Sequence, residues 1–315
     1  MAEHRGPAEL VLTVAVAQRY YLESQSKVQI ADALGISRFK VARLIEQARS
    51  DGLVRIEIVQ SGPVDVALST RLQDAYGLRH AVVVRSSGGD AIAVRRQLGS
   101  AAADLLVEIL TDRDVLGLPW ARGVAAMVDS LTALPHVPVV QLTGALTRPD
   151  EDSSSVDLVR RVARLAGGES HVFYAPMLFE DAAGARALRR QPPVADAMAH
   201  VTRVTKAFVG VGRWAAGQST IHDELSPVHQ RRLADAGVVG EIAGVLFDSV
   251  GEPVRSPVTA RLITVQHAQL RLIDEVVGMA AGAAKAPSVR AAIQGGLLEG
   301  LVVDGLLAEA LLDGR

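Results

Sequence analysis

The residues with the most evident chemistry form two groups. The first is Ser37, Arg38, Phe39, Lys40 and Arg43, at the start of a helix-like run. Between residues 37 and 49, four basic side chains (Arg38, Lys40, Arg43, Arg49) stand against one acid, Glu46, a local balance of +3. Cations at a helix start neutralise phosphates and reach base edges, the chemistry of a recognition helix in the DNA major groove. A solvated basic face would carry the same charge, so the surrounding spacing has to separate the two readings.

The second group is spread along the chain. Pro119, Trp120, Ala121, Arg122 and Gly123 follow a strand-like run and open a helix, where free backbone N–H groups and the helix dipole favour an anion. Arg122 either adds charge there or is an exposed arginine at a helix start. Gln141 and Thr143 alternate along the next strand and its end and can offer hydrogen bonds to hydroxyls, and Gly144 lets a ligand approach the backbone. Gly210 to Gly212 follow a further strand; with the next glycine at 217 this is not GxGxxG, so Gly212 reads as a pocket wall and Arg213 as a phosphate partner. Asp248, at a strand end before Gly251, is an acid for a sugar hydroxyl or a turn-forming aspartate. Lys285 precedes Pro287 at a helix start; it can meet a phosphate as a point charge or, if desolvated, attack a carbonyl, or it is a solvated surface lysine. His222, Asp223 and Glu224 are consecutive on a helix, point in different directions and give no metal site.

The elements that must position these residues can be read outward from the basic group. Ser26 and Gln29 are spaced for a capping box, and Ile30, Ala33 and Leu34 form an apolar face. Gly35 supplies a tight turn, Ile36 fills the angle, and Ser37 caps a second helix with Val41, Leu44, Ile45 and Ala48 inward. Two capped helix starts around that glycine give a helix-turn-helix and favour DNA over a solvated face. A helix over 8–24 backs it, 53–59 alternates like a short strand or wing, and 61–63 is the linker.

From residue 80 strands alternate with helices. Strands are expected at 81–84, 114–118, 137–142, 171–174, 206–211, 243–247, 262–265, 275–280 and 301–303, with helices at 91–110, 124–134, 156–166 and 288–297. Such alternation predicts a mostly parallel sheet covered on both faces, with the ligand crevice beyond its carboxyl ends. Residues 151–155, acidic and serine-rich, read as a loop.

The 315 residues, 49% hydrophobic, suffice for a small and a large domain, expected at 1–60 and 61–315. The net charge is −2, and residues 1–60 carry eight Lys/Arg against seven Asp/Glu, so any DNA contact must be focused on one face. Without cysteine there is no disulfide and no thiolate zinc site. Residues 10–17 resemble a signal-peptide core ending in Ala-Val-Ala, but Glu3 and Glu9 cancel the positive flank, so a helix and a cytoplasmic location are expected. No apolar run approaches the ~20 residues of a membrane span.

Two parts of the chain resemble the SorC family of sugar-responsive bacterial transcriptional regulators. In the first half QRYYLESQSKVQIADALGISRFKVARLIEQARSDGLVRIEI (18–58) is similar to the family's DNA-binding segment. In the second, DVLGLPWARG, VVQLTGAL, FVGVGRW, AGVVGEIAGVLFDSVGEPV and VVGMAAGAAK occur in the family's order. The chain departs from the family at Ala121 and Gly123, where a glycine and a threonine are usual, at Gly282-Ala283 in place of paired glycines, and at Gly305, where an acid often follows Asp304. The resemblance implies an α/β effector domain similar in fold to sugar-phosphate isomerases, glucosamine-phosphate deaminases and CoA transferases, preceded by the small helix-turn-helix domain. It also implies a phosphorylated sugar as effector.

The expectation is therefore a DNA-binding regulator of a carbohydrate or polyol operon, not an enzyme, with no cofactor and no metal. Its partners would be a double-stranded operator and a small sugar, polyol or sugar phosphate, and it would be a homodimer or homotetramer. The alternatives are an isomerase- or deaminase-type enzyme using the same pocket, with Asp248 and Lys285 as its working groups, and an assembly protein whose helix-turn-helix binds protein.

Overall fold

A computed structural model describes residues 6–56, 62–85, 90–146 and 154–314. It divides into two compact units, Met1–Gln60 and Ser61–Arg315.

Among the described residues the first unit has three helices, α1 (Pro7–Tyr21), α2 (Lys27–Leu34) and α3 (Arg38–Ser50). The capping box is present: Gln29 N–H donates to Ser26 Oγ at 3.3 Å, and Ser26 N–H donates to Gln29 Oε1 at 2.9 Å. Gly35 ends α2 with φ 63° and ψ 33°, the left-handed conformation that lets the chain reverse direction at low cost. Ser37 Oγ accepts the N–H of Lys40 at 3.2 Å and caps α3. Val16, Ile30, Ala31, Val41, Leu44 and Ile45 bury together, with Ile36 packed against them. The inward face of α2 is thus Ile30 and Ala31, with Leu34 half-buried, whereas Ala33 is exposed. Residues 53–56 form no strand, and the rest of the expected wing and Ser61 lie outside the described residues.

Among the described residues the second unit is built on nine strands: β1 (His80–Val84), β2 (Leu116–Leu118), β3 (Val139–Gln141), β4 (Ser170–His171), β5 (Lys206–Arg213), β6 (Gly240–Ile242), β7 (Val245–Phe247), β8 (Glu275–Ala280) and β9 (Gly300–Asp304). Seven form one sheet in the order β1-β9-β8-β5-β2-β3-β4. Every pairing along that path is parallel. β6 and β7 form an antiparallel hairpin attached to the end of β5. The fold is the expected α/β class.

Both faces of the sheet are covered, and the side chains alternate between two cores. Ala207, Val209, Val211, Leu301 and Val303 face one core, with Leu307 and Leu311 of the helix Gly305–Asp313. Phe208, Val277, Met279 and Val302 face the other, against α5 (Ala91–Ile109), α6 (Arg122–Ser130) and α7 (Ser155–Ala166). The first of these faces also receives α4 (Val66–Tyr76), which lays Leu72 into the first core. β8, buried at all six positions, is a continuous apolar run after Glu275 for this reason.

Three expectations change. The run 262–265 is no strand; Leu262 and Thr264 make only isolated bridges, to Leu178 and Thr143. The stretch 243–247 begins in a turn, because Ala243 (φ 47°) and Gly244 (φ 81°) are the left-handed pair of a two-residue hairpin loop. Residues 172–174 lie beyond β4, which stops at His171. Among the described residues no helix is long and apolar enough to cross a membrane.

Candidate effector cavity

Connections leave β2 toward β3 and β4 and leave β5 toward β8 and β9, so the winding direction reverses between the neighbours β2 and β5. Beyond the carboxyl ends of strands at such a switch point lies the natural crevice of an open α/β sheet. A cavity of about 420 Å³ lies there, within the range of small-molecule sites. It is lined by the segment after β2, the end of β5, the β6–β7 turn, the end of β8 and Asp304 at the end of β9.

Pro119, Trp120, Ala121, Arg122 and Gly123 all line it. Ala121 is the N-cap of α6 and offers no side-chain cap to the N–H groups of the first turn. Arg122 stands at that helix start, and Arg95 of α5 joins the lining. Lys285 completes the basic side. Its Nζ donates to the Val211 carbonyl at 2.8 Å. Burial holds the amine below its ordinary range; Glu241 pulls it back up, Arg95 and Arg122 push it down, and Asp304 raises it.

The acids are Glu241 and Asp304. Glu241 sits in β6 opposite Gly212. Its Oε1 accepts hydrogen bonds from Ser219 Oγ (2.8 Å), Thr220 N–H (3.0 Å) and Thr220 Oγ1 (3.2 Å). Its Oε2 is buried with no hydrogen-bond partner among the described residues. Burial raises its pKa above the usual carboxylate range, against the hydrogen bonds from Ser219, Thr220 and Ile221 that favour the charged form. Asp304 Oδ1 accepts from Gly282 N–H at 2.9 Å and from Leu307 N–H at 3.1 Å, tying the loop before Lys285 to the start of the last helix. Gly212 is required by this packing: a Cβ there would come within 2.6 Å of Glu241 Cγ.

Five expected site residues are not in the lining. Gln141 is fully buried beneath the sheet end; its Nε2 donates to Thr143 O and Ser155 Oγ, and its Oε1 accepts from Phe173 N–H. Thr143 Oγ1 accepts from Trp120 N–H at 3.2 Å, so it holds the cavity wall from behind. Gly144 is close to backbone rather than ligand, since a Cβ would lie 2.7 Å from Met177 N. Arg213 is exposed, one residue past the lining. Asp248 is the turn former: its Oδ1 accepts from Val250 and Glu252 N–H, both at 3.0 Å. The hairpin explains this, because Gly240 pairs with Phe247, so the Ala243–Gly244 turn enters the cavity while Asp248 lies at the opposite end.

Sequence reasoning missed Glu241, Arg95 and the ligand-facing place of Asp304. Glu241 had a signal: one acid inside the apolar run 238–247. Arg95 had none, being one of several charges on α5. Among the described residues no cluster of His, Asp or Glu could hold a metal.

An anion-ready helix start, half-buried cations and buried carboxylates around one cavity define a binding site for a small polar, anionic molecule. Residues 64–313 match the family described as "Putative sugar-binding domain". The chain is 29% identical over 303 residues to the Escherichia coli transcriptional regulator YjhU, covering 93% of this chain and 92% of that one. It is 27% identical over 310 residues to the erythritol catabolism regulatory protein EryD of Brucella abortus, covering 96% of each. The crystal structure of the full-length sorbitol operon regulator SorC from Klebsiella pneumoniae matches with a TM-score of 0.74 at 25% identity, over 98% of this chain and 100% of that one. The class is that of the SorC-type transcriptional regulators. The chain belongs to the sugar-binding-domain family that such regulators carry.

Proposed function

We propose that the protein is a DNA-binding regulator of a carbohydrate or polyol catabolic operon whose operator affinity is set by a small phosphorylated sugar or polyol in the cavity. The observation that carries the effector half is the meeting of the uncapped α6 start, Arg122, Arg95 and Lys285 with Glu241 and Asp304. The phosphate lies on the α6 amides and the cations, and the hydroxyls on the carboxylates.

The DNA half rests on α3. Its first turn contains no acid and carries Arg38 and Lys40, which the helix dipole disfavours at that end. Ser37, Arg38, Phe39, Lys40 and Arg43 are all exposed. An arrangement unfavourable within the unit becomes favourable against phosphates. Ser37 fixes the helix start, and Arg38, Lys40 and Arg43 carry affinity. One such unit reads a half-site, so a homodimer or homotetramer joined through the 61–315 unit is the working form, acting in the cytoplasm where the DNA is.

The test has two arms. A thermal-shift screen of sugar phosphates and polyols should find a stabilising ligand whose addition changes operator binding, with a coupling of about 1–3 kcal/mol. Arg43→Ala should weaken operator binding by about 1–3 kcal/mol. Wild-type operator affinity in folded Lys40→Ala/Arg43→Ala would refute the DNA arm. A second reading, an isomerase, is favoured by one observation: burial pushes the Glu241 carboxyl up and the Lys285 amine down, as in an acid–base pair. Turnover of any stabilising sugar phosphate would establish it.

A further inference from the structure

The most exposed large apolar side chain of the described residues is Phe39, with 86% of its surface in water. No aromatic or cation–ring contact among the described residues involves it. It sits in the first turn of α3, where a small polar residue would serve the helix equally well.

Its direction is fixed by the buried stripe. At about 100° per residue, Val41, Leu44, Ile45 and Ala48 centre on a line about 190° from Phe39. Phe39 therefore points straight away from the core. Arg43, one turn on, lies about 40° from it, while Arg38 and Lys40 flank it at about 100° on either side. An apolar ring on the midline of a helix face with cations on both flanks complements a DNA groove: phosphates at the rims, base edges at the centre.

We propose that Phe39 is a specificity-determining residue that contacts the 5-methyl group of a thymine in the major groove of each operator half-site. The 5-methyl group is the only apolar feature a base pair presents in that groove, and a phenyl ring can read nothing else there. The inference rests on the DNA-binding reading and adds a base identity to it.

The experiment starts from duplexes selected by the full-length protein from a random-sequence library. Each thymine of the selected site is then replaced by deoxyuridine, which removes only the methyl group. Binding is compared for wild type and Phe39→Ala, whose fold is checked by circular dichroism. One position per half-site should lose about fourfold in wild-type affinity on deoxyuridine substitution, the equivalent of burying one methyl group. Phe39→Ala should bind thymine and deoxyuridine sites equally. If no duplex is enriched, the DNA reading falls and this inference with it. If duplexes are enriched but every deoxyuridine affects wild type and Phe39→Ala alike, this inference alone falls. It is likewise overturned if Phe39→Ala keeps the wild-type deoxyuridine response and changes oligomeric state, which assigns the ring to a subunit contact.

Discussion

Two lysines stand at opposite ends of the same sheet, each beside a buried carboxylate, and they differ in how completely their neighbours satisfy them. At the amino end, Lys206 Nζ donates to Glu275 Oε2 at 3.2 Å and lies 3.7 Å from Asp114 Oδ1. Glu275 Oε1 lies 3.1 Å from His80 Nε2, and Asp114 also accepts from Thr111 and Thr205. At the carboxyl end, Lys285 has one carbonyl partner, and Glu241 keeps an oxygen without a partner. The first group is held by ion pairs to both carboxylates and joins β5 to β8 through Lys206 and Glu275, although Glu275 Oε1 meets His80 without a hydrogen bond. The second is open toward a cavity. A buried charge with unused hydrogen-bonding capacity costs stability that a ligand can restore, so ion pairing of the carboxylates, more than the presence of charge, separates structure from function here.

The largest effect should come from breaking the ion-paired group. Lys206→Met leaves Glu275, 3% exposed, without its cation. The expected loss in denaturant unfolding is about 3 kcal/mol, the low end for a buried pair because Lys206 keeps part of its side chain in water. The effector response should survive. Lys285→Met should do the reverse: unfolding free energy at or above wild type, because a buried amine becomes an apolar side chain of similar volume, and no response to effector. Equal stability losses in the two variants would erase the distinction between the two ends.

Ligand should act only at the open end. A sugar phosphate at 100 times its dissociation constant adds about 2.7 kcal/mol to wild type and to Lys206→Met, measured as a rise in melting temperature. Lys285→Met should show none at that concentration.

A smaller effect is expected from Glu241→Gln, and its sign depends on pH. Burial raises the folded-state pKa of Glu241 above its unfolded value. Its contribution to stability is therefore full below about pH 4.5 and is lost as pH rises through the folded value. Glutamine keeps an acceptor for Ser219 and Thr220 but does not ionise. The melting temperature of Glu241→Gln relative to wild type should rise between pH 5 and pH 8, by about 2–4 °C for each kcal/mol recovered. A difference independent of pH would mean that the carboxyl does not titrate there.

The fold was legible where local chemistry decides. Residues 275–280 form a strand as expected because both faces are buried and the apolar run is unbroken. The capped start of α2 and the Gly35 turn follow from side-chain spacing alone. What failed depended on direction. The run 243–247 has strand composition, yet Ala243 and Gly244 turn back, and a lone alanine gives no warning of a left-handed conformation. The loop at 119–123 and Lys285 were found because each directly follows a parallel strand and so lies at the carboxyl edge. Gln141 and Thr143 also follow that rule, but their hydrogen bonds are spent on Ser155, Phe173 and Trp120, which sequence spacing cannot reveal.

The smallest effect is expected at Asp248. Reading every strand end as the carboxyl edge of a parallel sheet assigns Asp248 to the ligand. β7, however, runs antiparallel to β6 and carries its end away from the cavity. Three paired residues separate the Ala243–Gly244 turn from Asp248, about 10 Å of strand. Asn retains the Oδ1 acceptor for the Val250 and Glu252 N–H groups, so Asp248→Asn should change stability by no more than about 0.5 kcal/mol. Its melting-temperature rise with effector should equal that of wild type. Glu241→Gln, with the acid that does line the cavity altered, should respond only at higher ligand concentration. If titrations show Asp248→Asn impaired and Glu241→Gln unimpaired, the acid that reads the effector lies at the end of the hairpin away from its turn after all, and the contrast between ion-paired and unpaired carboxylates does not locate the site.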